Sequence, residues 1–290
     1  MRKIPVLLDG AVGTSLWEKA ERDGIAQDPV WTYNITHPQI VRELTKEYLD
    51  AGSQIILTNT FGANGPAVAR SSKFTAPAVV RAGVRLGREA IGDKAKLCLA
   101  AGPLMALLEP YGDMEEDECR EIYEEMLGAG MEEKPDCIML MTFMDLEMMR
   151  IAASVAKQYD VPVYCTMTFE KVGRTLMGNS VQEIIDTLAP LQIDGIGMNC
   201  SLGPDLALPI IREFAEKTDL PLVFKPNAGK PIVAPGGEVT KAYDAETFAR
   251  DVAPALDFVS YIGGCCGCNP EYIKALKGII NQGDGSPIDI

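Results

Sequence analysis

Short runs of apolar, β-branched and aromatic residues alternate along this chain with longer stretches in which apolar residues recur every three or four positions. The short runs predict buried strands, and the longer stretches predict amphipathic helices. The predicted strands are residues 4–8, 54–58, 97–101, 136–141, 161–169, 195–198, 221–225 and 257–262. The predicted helices are residues 38–51, 76–91, 115–128, 146–158, 181–189, 204–217, 245–252 and 270–280.

This alternation of strands and helices predicts a single α/β domain over residues 1–290, folded as a (β/α)8 TIM barrel. An open doubly wound sheet is the alternative for alternating elements. It is disfavoured because no Gly-x-Gly-x-x-Gly follows the first strand. We expect residues 282–290 to form a surface tail with little order.

Polar residues and glycines follow several predicted strands, at the end of a barrel where the loops carry the chemistry. Asp9 and Gly10 follow the first strand, Cys200 follows the sixth and Asn227 follows the seventh. The eighth strand is followed by Gly-Gly-Cys-Cys-Gly at residues 263–267. Because the sixth and eighth strands are neighbours but one in such a barrel, we expect these side chains to converge at one mouth.

The adjacent cysteines, Cys265 and Cys266, lie between glycines that allow a sharp turn and leave both sulfurs uncovered. Three interpretations are open for the pair: ligands of a soft metal ion, buried neighbours, or a vicinal disulfide. With Cys200, three thiolates would surround Zn²⁺ and leave one tetrahedral position open, which is typical of a catalytic zinc site. Cys268 is also within reach of a metal in sequence, although the Asn-Pro that follows it favours the start of the last helix.

The remaining cysteines have positions that are typical of core residues. Cys98, Cys137 and Cys165 lie inside predicted strands, where a free cysteine packs as a small apolar side chain, and Cys119 lies on a predicted helix. No signal peptide precedes the first strand, so we expect a cytoplasmic protein with reduced thiols. In that compartment, cysteine clusters are more often metal sites or catalysts than disulfides.

The amino-acid composition of the chain argues against several classes of protein function. A chain that is 47% hydrophobic and 23% charged is typical of a soluble globular enzyme. The net charge of −14 argues against nucleic-acid binding, and no apolar run is long enough to span a membrane. His37 is the only histidine, which excludes a polyhistidine metal site and leaves little scope for histidine acid–base chemistry.

A zinc ion with three thiolate ligands is electron-rich and a weak Lewis acid, so it suits thiol chemistry better than the activation of water. A substrate thiol at the fourth position would be held as a thiolate at neutral pH, although a free thiol with a pKa of about 8.5 is mostly protonated there. Such a thiolate attacks an activated methyl group by in-line displacement and needs no histidine base. The sequence therefore predicts alkyl transfer to sulfur.

Five motifs, taken together, resemble the homocysteine S-methyltransferase family over nearly the whole chain. They are Leu-Asp-Gly-Ala-Val-Gly-Thr at residues 8–14, Thr-Asn-Thr-Phe-Gly-Ala-Asn at 58–64, Asn-Cys-Ser-Leu-Gly-Pro at 199–204, Pro-Asn-Ala-Gly-Lys-Pro at 226–231 and Gly-Gly-Cys-Cys-Gly at 263–267. The family includes betaine–homocysteine methyltransferase, S-methylmethionine-dependent enzymes and the first module of cobalamin-dependent methionine synthase.

The resemblance implies a zinc-dependent enzyme that methylates homocysteine to methionine. The zinc ligands that it implies are Cys200, Cys265 and Cys266, with the homocysteine thiol as the fourth. Asn227 matches a family asparagine beside the metal, which could occupy the fourth position when substrate is absent. Asp9 and Gly10 match the segment that contacts the amino-acid part of the substrate.

The chain departs from the family pattern at the end of the fourth strand. Met141 stands where members commonly carry the glutamate of a Glu-Thr motif, which meets the substrate ammonium. Loss of that carboxylate removes a charge-assisted contact of about 1.5–3 kcal/mol. Thr142 keeps the threonine of the motif and is a candidate substrate contact. Cys268 stands where threonine is usual.

The leading hypothesis is a zinc-dependent thiol S-methyltransferase with homocysteine as the acceptor. One alternative is methyl transfer between a corrinoid (cobalamin) protein and a thiol that is not an amino acid. A second is a dithiol redox protein that uses Cys265 with Cys266 or Cys268, and a third is a barrel without catalysis that binds another subunit. The 290 residues contain no folate- or cobalamin-binding module. We therefore expect the methyl donor to be a small molecule or a separate corrinoid protein.

Overall fold

The computed structural model describes residues 3–229, 232–233, 239–240, 243–281 and 286–287. Eight parallel strands form one sheet, and each overlaps one of the apolar runs of the sequence. The strands are β1 (Val6–Leu7), β2 (Ile55–Leu57), β3 (Lys96–Ala101), β4 (Cys137–Phe143), β5 (Val163–Met167), β6 (Gly195–Asn199), β7 (Leu222–Lys225) and β8 (Tyr261–Ile262).

Helices connect the strands and cover the outside of the sheet. They are α1 (Val12–Arg22), α2 (Tyr33–Thr36), α3 (Pro38–Ala51), α4 (Gly65–Ser71), α5 (Ala76–Ile91), α6 (Glu116–Met131), α7 (Leu146–Ala156), α8 (Val181–Leu188), α9 (Pro204–Lys217), α10 (Ala245–Val252) and α11 (Pro270–Ile280). Among the described residues, no helix has both the length and the apolar character that crossing a membrane requires.

The strands run in the order β1-β8-β7-β6-β5-β4-β3-β2, so each strand pairs with its neighbours in the chain and β8 returns to β1. The ring closes between β1 and β2, where Leu8 forms a parallel bridge with Ile55. The backbone N–H of Gln54 also donates to the carbonyl of Leu7 at 2.7 Å. The predicted (β/α)8 TIM barrel is confirmed.

The barrel has two apolar layers. One layer fills the inside of the ring, and its members are Val6, Leu8, Ile55, Leu57, Cys98, Ala100, Cys137, Met139, Met141, Tyr164, Val223 and Tyr261. The other, larger layer lies between the sheet and the helices. Strand residues alternate between the two layers because successive side chains point to opposite faces of a strand. Inward-facing side chains at the ends of the strands therefore meet beneath the mouth, where the strands end.

The first and last predicted strands start later than expected. The apolar run at residue 4 is split: Lys3–Ile4 pairs with Ser286–Pro287, and the barrel strand begins at Val6. The prediction of a strand from residue 257 is wrong for its first residues, because Ala253–Asp257 forms a 3-10 helix and β8 begins at Tyr261. Of the expected surface tail, residues 282–285 and 288–290 lie outside the described residues.

Three helices, α1, α2 and α4, were not predicted. Helix α1 buries Leu16 and Ala20 on one face and carries several charges on the other. Gly13 near its start and the lack of a side-chain cap at Ala11 weaken its pattern in the sequence. Its buried Lys19 donates to Glu47 at 2.6 Å, which anchors the helix to α3.

At the base of the barrel, where the strands begin, polar side chains complete the hydrogen bonding of neighbouring strands. The residue immediately before β2, β4 and β6 accepts a backbone N–H from the strand beside it. The three pairs are Gln54 Oε1 with Leu7 N (3.0 Å), Asp136 Oδ2 with Leu97 N (2.7 Å) and Asp194 Oδ2 with Val163 N (2.9 Å). Arg88 and Lys157 add ion pairs to the two carboxylates, at 2.6 and 3.1 Å.

Candidate metal centre

Three sulfur atoms meet at the mouth of the barrel. The Sγ atoms of Cys200, Cys265 and Cys266 all lie within 4.8 Å of one another, and those of Cys200 and Cys266 are 3.4 Å apart. Three thiolates bound to one zinc ion at 2.3 Å would be about 3.8 Å apart. The spacing of the three sulfurs therefore suits a single zinc ion.

Cys200 reaches this position through a sharp turn after β6. Both Cys200 and Ser201 have left-handed backbone conformations, with φ values of 60° and 57°. Such conformations are uncommon for residues other than glycine and cluster at functional sites. The turn is fixed on both sides, because Cys200 N donates to Lys225 O at 3.0 Å and Ser201 Oγ donates to Phe169 O at 2.9 Å.

Glycines let the loop after β8 approach its neighbours closely. A Cβ atom at Gly263 would lie 2.6 Å from the carbonyl oxygen of Asp9, and one at Gly264 would lie 2.7 Å from Cys268 Sγ. Cys265 N donates to Pro226 O at 2.8 Å, which ties the loop to the end of β7. The loop thus places a buried Cys265 and an exposed Cys266 side by side.

The three thiols are electronically linked. Hydrogen bonds from Cys265 and Cys266 lower the pKa of the Cys200 thiol well below its usual range. The same contacts with Cys200 raise the pKa values of Cys265 and Cys266. The three sulfurs therefore share their protons as one group, and a soft cation would replace those protons.

Asn199 connects the cluster to β4 and β5, and it is fully buried. Its Oδ1 accepts from Thr142 N and from Thr166 Oγ1, each at 2.7 Å. Its Nδ2 donates to Thr142 Oγ1 at 2.7 Å and to Cys265 Sγ at 3.6 Å. All the hydrogen-bonding capacity of this amide is used, so Asn199 fixes both Cys265 and Thr142.

Thr142 lies at an irregularity of β4. The pairing of β4 with β5 shifts between Leu140 and Phe143, and Thr142 has φ of 66°. A β-branched residue in the left-handed region is an outlier that its surroundings must hold in place. Asn199 does so through the two hydrogen bonds to the Thr142 backbone and hydroxyl. The bulge carries the predicted substrate contact Thr142 to the mouth.

Asn227 provides a further donor atom at the cluster. Its backbone N–H donates to Leu202 O at 2.9 Å, and its side chain lowers the pKa of Cys200 by hydrogen bonding. Its Oδ1 is buried and has no hydrogen-bond partner among the described residues. An unpartnered buried oxygen is costly, and one beside three thiols is an observation that a bound cation would explain.

Asp9 and Gly10 lie beside the cysteine loop. Gly264 N donates to the carbonyl of Asp9 at 3.1 Å, and the Asp9 carboxylate is fully buried. A Cβ atom at Gly10 would lie 2.1 Å from the carbonyl oxygen of Cys268, so only glycine fits there. The structure thus brings the predicted substrate segment against the loop of Cys265.

The other five cysteines lie apart from the cluster. Cys268 is buried behind Gly264, with its Sγ 3.8 Å from Pro226 O, and lies two residues before the start of α11. Among the described residues, the side chains that cluster closely enough to hold a metal ion are those of Cys200, Cys265 and Cys266. Burial raises the pKa values of Cys98, Cys119 and Cys165, which agrees with their predicted core positions.

The sequence profile of the family described as Homocysteine S-methyltransferase matches residues 6–280. The chain belongs to this family. The match runs from β1 to the end of α11, so it includes the three mouth cysteines and every strand of the barrel.

Curated relatives are much longer than this chain. The methionine synthase of Mycobacterium tuberculosis is 28% identical over 267 residues, which are 85% of this chain and 22% of that protein. The methionine synthase of Mycobacterium leprae is 26% identical over 278 residues, with the same coverage of 85% and 22%. The chain therefore spans about a fifth of the length of these relatives.

Solved structures show the same architecture. The oxidized form of the homocysteine methyltransferase MmuM from Escherichia coli superposes with a TM-score of 0.78 at 20% identity, covering 95% of this chain and 96% of that one. Its metallated form gives a TM-score of 0.76 with the same identity and coverage. At this level of identity the likeness supports the barrel fold.

Sequence reasoning missed two residues of the site. Asn199 was noticed only as part of a motif, and Lys225 was not noticed at all. Both side chains face inward at the end of a strand, and Lys225 lies two residues after the inward-facing Val223. A lysine on the inward face of a buried strand is the signal that would have identified it.

Proposed function

We propose that the chain is a zinc-dependent S-methyltransferase that moves a methyl group from a donor to the thiol of a small-molecule acceptor. The supporting observation is the convergence of Cys200, Cys265 and Cys266 at the mouth of a barrel of this family. The unpartnered Asn227 Oδ1 beside them adds a hard donor that a cation would satisfy. The three cysteines would hold the zinc ion, and Asn227 Oδ1 would take the fourth position when no acceptor is bound.

Zinc at this site supplies a position at which an acceptor thiol is held as its thiolate at neutral pH. The protein residues have other tasks. Asn199 fixes the orientation of Cys265 and of Thr142. The left-handed turn at Cys200 and the glycines around Cys265 bring three sulfurs from two strand ends to one point. The rigidity of this frame keeps the acceptor sulfur in line with the donor methyl group.

The proposed transfer is a balanced substitution. The acceptor thiol would release its proton to solvent, its sulfur would form a bond to the methyl carbon, and the donor would leave with the electron pair of the bond that breaks. No histidine is required as a base. His37, the one histidine, lies at the start of α3 with its ring against Thr36 and Tyr33.

Homocysteine is the acceptor that the family supports, and methionine would be its product. Asp9, Gly10, Asn227 and Thr142 are the proposed substrate contacts, since they lie on the loops that surround the three sulfurs.

A matched pair of cysteine variants tests the zinc site. We expect one zinc ion per chain in the wild type, loss of zinc and of methyl transfer in Cys266→Ala, and retention of both in Cys268→Ala. Metal content is measured by elemental analysis after dialysis, and the methylated thiol by mass spectrometry. A Cys266→Ala protein with full zinc content would refute the site, and a reversible disulfide without metal would support the redox alternative instead.

A second candidate concerns the donor, which we propose is a methylated corrinoid protein. The substantially exposed large hydrophobic side chains of the described residues lie in the connections that leave the strand ends or in the first turn of the next helix, except for Trp17 in the second turn of α1. They are Trp17, Ile35, Phe61, Met105, Leu107, Tyr111, Val172, Leu176 and Leu206. An apolar rim of this kind is typical of a protein-binding surface.

The donor is identified by comparing three donors with one acceptor at equal zinc loading. A methylated corrinoid protein, S-methylmethionine and betaine represent the protein and small-molecule classes. Transfer from the corrinoid protein at a rate well above the other two would support the second candidate. Efficient transfer from either small molecule would contradict it without affecting the proposal of zinc-dependent transfer to a thiol.

A further inference from the structure

The end of β7 lies between the two segments that carry the three mouth cysteines. On one side, the backbone N–H of Cys200 donates to the carbonyl oxygen of Lys225 at 3.0 Å. On the other side, the N–H of Cys265 donates to the carbonyl oxygen of Pro226 at 2.8 Å. The peptide groups at the end of β7 therefore join the turn that carries Cys200 to the loop after β8.

The side chain of Lys225 adds a connection to the segment after β1. It is fully buried, and its Nζ donates to Asp9 Oδ1 at 2.6 Å and to the Asp9 carbonyl oxygen at 2.9 Å. The same carbonyl oxygen accepts the N–H of Gly264 at 3.1 Å. One oxygen atom of Asp9 thus binds both the lysine and the residue that precedes Cys265.

The Asp9 carboxylate is also held by β2. Its Oδ2 accepts the N–H of Leu57 at 2.8 Å, close to the bridge at which the ring of strands closes. A fully buried ion pair often adds little net stability, because both of its charges lose their hydration. Its hydrogen bonds nevertheless have a fixed geometry, so the pair orients the groups that it contacts.

The loop after β8 is packed directly against the Asp9 backbone. A Cβ atom at Gly263 would lie 2.6 Å from the carbonyl oxygen of Asp9, so the two segments have no free space between them. A displacement of the Asp9 backbone would therefore be passed on to the loop. The position of Cys265 depends in this way on where Lys225 holds Asp9.

We propose that Lys225 is a positioning residue of the metal centre, which sets the spacing of the Cys200 and Cys265 sulfurs through its own carbonyl and through Asp9. This inference rests on the proposed function and deepens it, because it explains how sulfurs from two loops are kept at the spacing of one zinc ion. Lys225 supplies no ligand, so loss of its ammonium should change the affinity and geometry of the site while all three sulfurs remain.

Metal binding by Lys225→Met, measured without any substrate, is the first test. Methionine keeps much of the side-chain volume and removes the ammonium. We expect the Kd for Zn²⁺, measured by competition with a chelator, to rise by about 10–100-fold, as is usual when a group that supports a metal ligand is lost. With Co²⁺ in place of zinc, the sulfur-to-cobalt absorption bands should shift at full occupancy. An unchanged Kd together with unchanged cobalt bands would overturn the role of Lys225.

Arg88→Met is the matched control at the base of the barrel. Asp136 has the same arrangement there as Asp9 has at the mouth, because it pairs with the cation of Arg88 at 2.6 Å and accepts the N–H of Leu97 at 2.7 Å. This variant should leave the zinc Kd and the cobalt bands unchanged. Equal changes in both variants would overturn the inference, because general destabilisation would then explain them.

A double variant separates positioning from the cost of a buried unpaired charge. Asp9→Asn combined with Lys225→Met removes both charges, and the asparagine oxygen can still accept the N–H of Leu57. We expect the urea midpoint to recover relative to Lys225→Met, while the zinc Kd stays raised, because the carbonyl oxygen at position 9 still lacks its ammonium donor. Recovery of zinc affinity together with stability would overturn the inference. Where the single variant does not fold, the double variant decides by the same measurements.

Metal binding by the wild-type protein tests the proposed function separately. A wild-type protein that binds neither zinc nor cobalt at the three sulfurs would overturn the proposed function. A wild-type protein that binds one zinc ion, together with Lys225 variants that bind it equally tightly, would leave the proposed function intact and overturn the role of Lys225.

Discussion

At the base of the barrel, Gln54, Asp136 and Asp194 each complete the hydrogen bonding of the neighbouring strand, and the same device recurs at three strand starts. At the mouth, by contrast, each strand end is built differently. Thr142 and Cys200 adopt left-handed conformations, and an oxygen of Asn227 is left unpartnered. At the base, these polar groups are satisfied by hydrogen bonds. At the mouth, parts of the backbone are strained, and one buried oxygen has no hydrogen-bond partner among the described residues.

This difference separates stability from function within one fold. Repeated, satisfied contacts at the base lower the energy of the folded chain and offer nothing to a ligand. Strain and unsatisfied groups at the mouth raise that energy and are retained where a bound ion or substrate offsets them. Substitutions at the mouth should therefore lower activity more than stability. Substitutions at the base should lower stability more than activity.

The largest effect on activity is expected for Cys200→Ala at the mouth. Loss of one of three thiolates should lower zinc affinity and methyl transfer by more than about 100-fold, since even loss of a group that only supports a ligand costs 10–100-fold. The urea midpoint of the metal-free protein should change little, because Cys200 is only partly buried. Zinc competition with a chelator and urea unfolding measure the two quantities.

The matched control for this prediction is Cys165→Ala, which removes a sulfur from the fully buried layer between sheet and helices. It should lower the urea midpoint and leave zinc affinity unchanged. If both alanine variants lost zinc to the same extent, the division between mouth and core would be contradicted.

A smaller effect is expected for Asn199→Ala, which alters the support of the cluster rather than a ligand. Zinc affinity should fall by about 10–100-fold, as is usual when a partner of a metal ligand is removed. Stability should fall as well, because Thr142 N and Thr166 Oγ1 lose their acceptor. Asn199→Asp keeps the acceptor oxygen and should recover stability more than zinc affinity. If the Asn199→Ala protein is less stable but binds zinc as tightly as the wild type, Asn199 supports the fold and not the metal centre.

The barrel was predictable from the sequence because its strands and helices follow hydrophobic periodicity, and a helix such as α5 has a strong pattern along its whole length. Helix α1 was missed because its apolar residues are few and its start lacks a capping side chain. The eighth strand was predicted too long because the apolar pattern of residues 257–262 is strong along its whole length. In the structure, a 3-10 helix ends at Asp257 and the strand begins only at Tyr261.

The candidate site was predictable only where an unusual residue type marked it. Cysteine pairs and glycines identified residues 263–267, and the position of Cys200 followed from the order of the strands. The hydrogen bonds of Asn199 and the ion pair of Lys225 with Asp9 depend on which strand positions face inward and on a bulge in β4. No local pattern records such long-range contacts.

At the base, Asp136→Ala should affect stability alone. The free energy of unfolding should fall by about 1–3 kcal/mol, because the N–H of Leu97 loses its acceptor. Asp136→Asn keeps an acceptor oxygen and should cost less, since the partly exposed pair with Arg88 contributes about 1 kcal/mol or less. Zinc content and methyl transfer should match the wild type in both variants. A loss of zinc in either variant would show that the base and the mouth are coupled.

The smallest effect is expected at the apolar rim, where the mouth differs from the base without touching the metal centre. Met105 and Tyr111 are 79% and 74% exposed, so replacing both with serine should leave the fold and zinc content unchanged. If a methylated protein docks on this rim, the variant should lower transfer from it by a few-fold through a higher KM, because rim contacts contribute modestly to binding. Transfer from a small-molecule donor should stay the same, and this serves as the internal control. A double variant in which Lys46 of α3 and Lys274 of α11, both exposed residues within helices, are replaced with serine should change neither rate. Equal loss of transfer from both donor classes would assign Met105 and Tyr111 to the reaction itself and remove the rim as evidence for a protein donor.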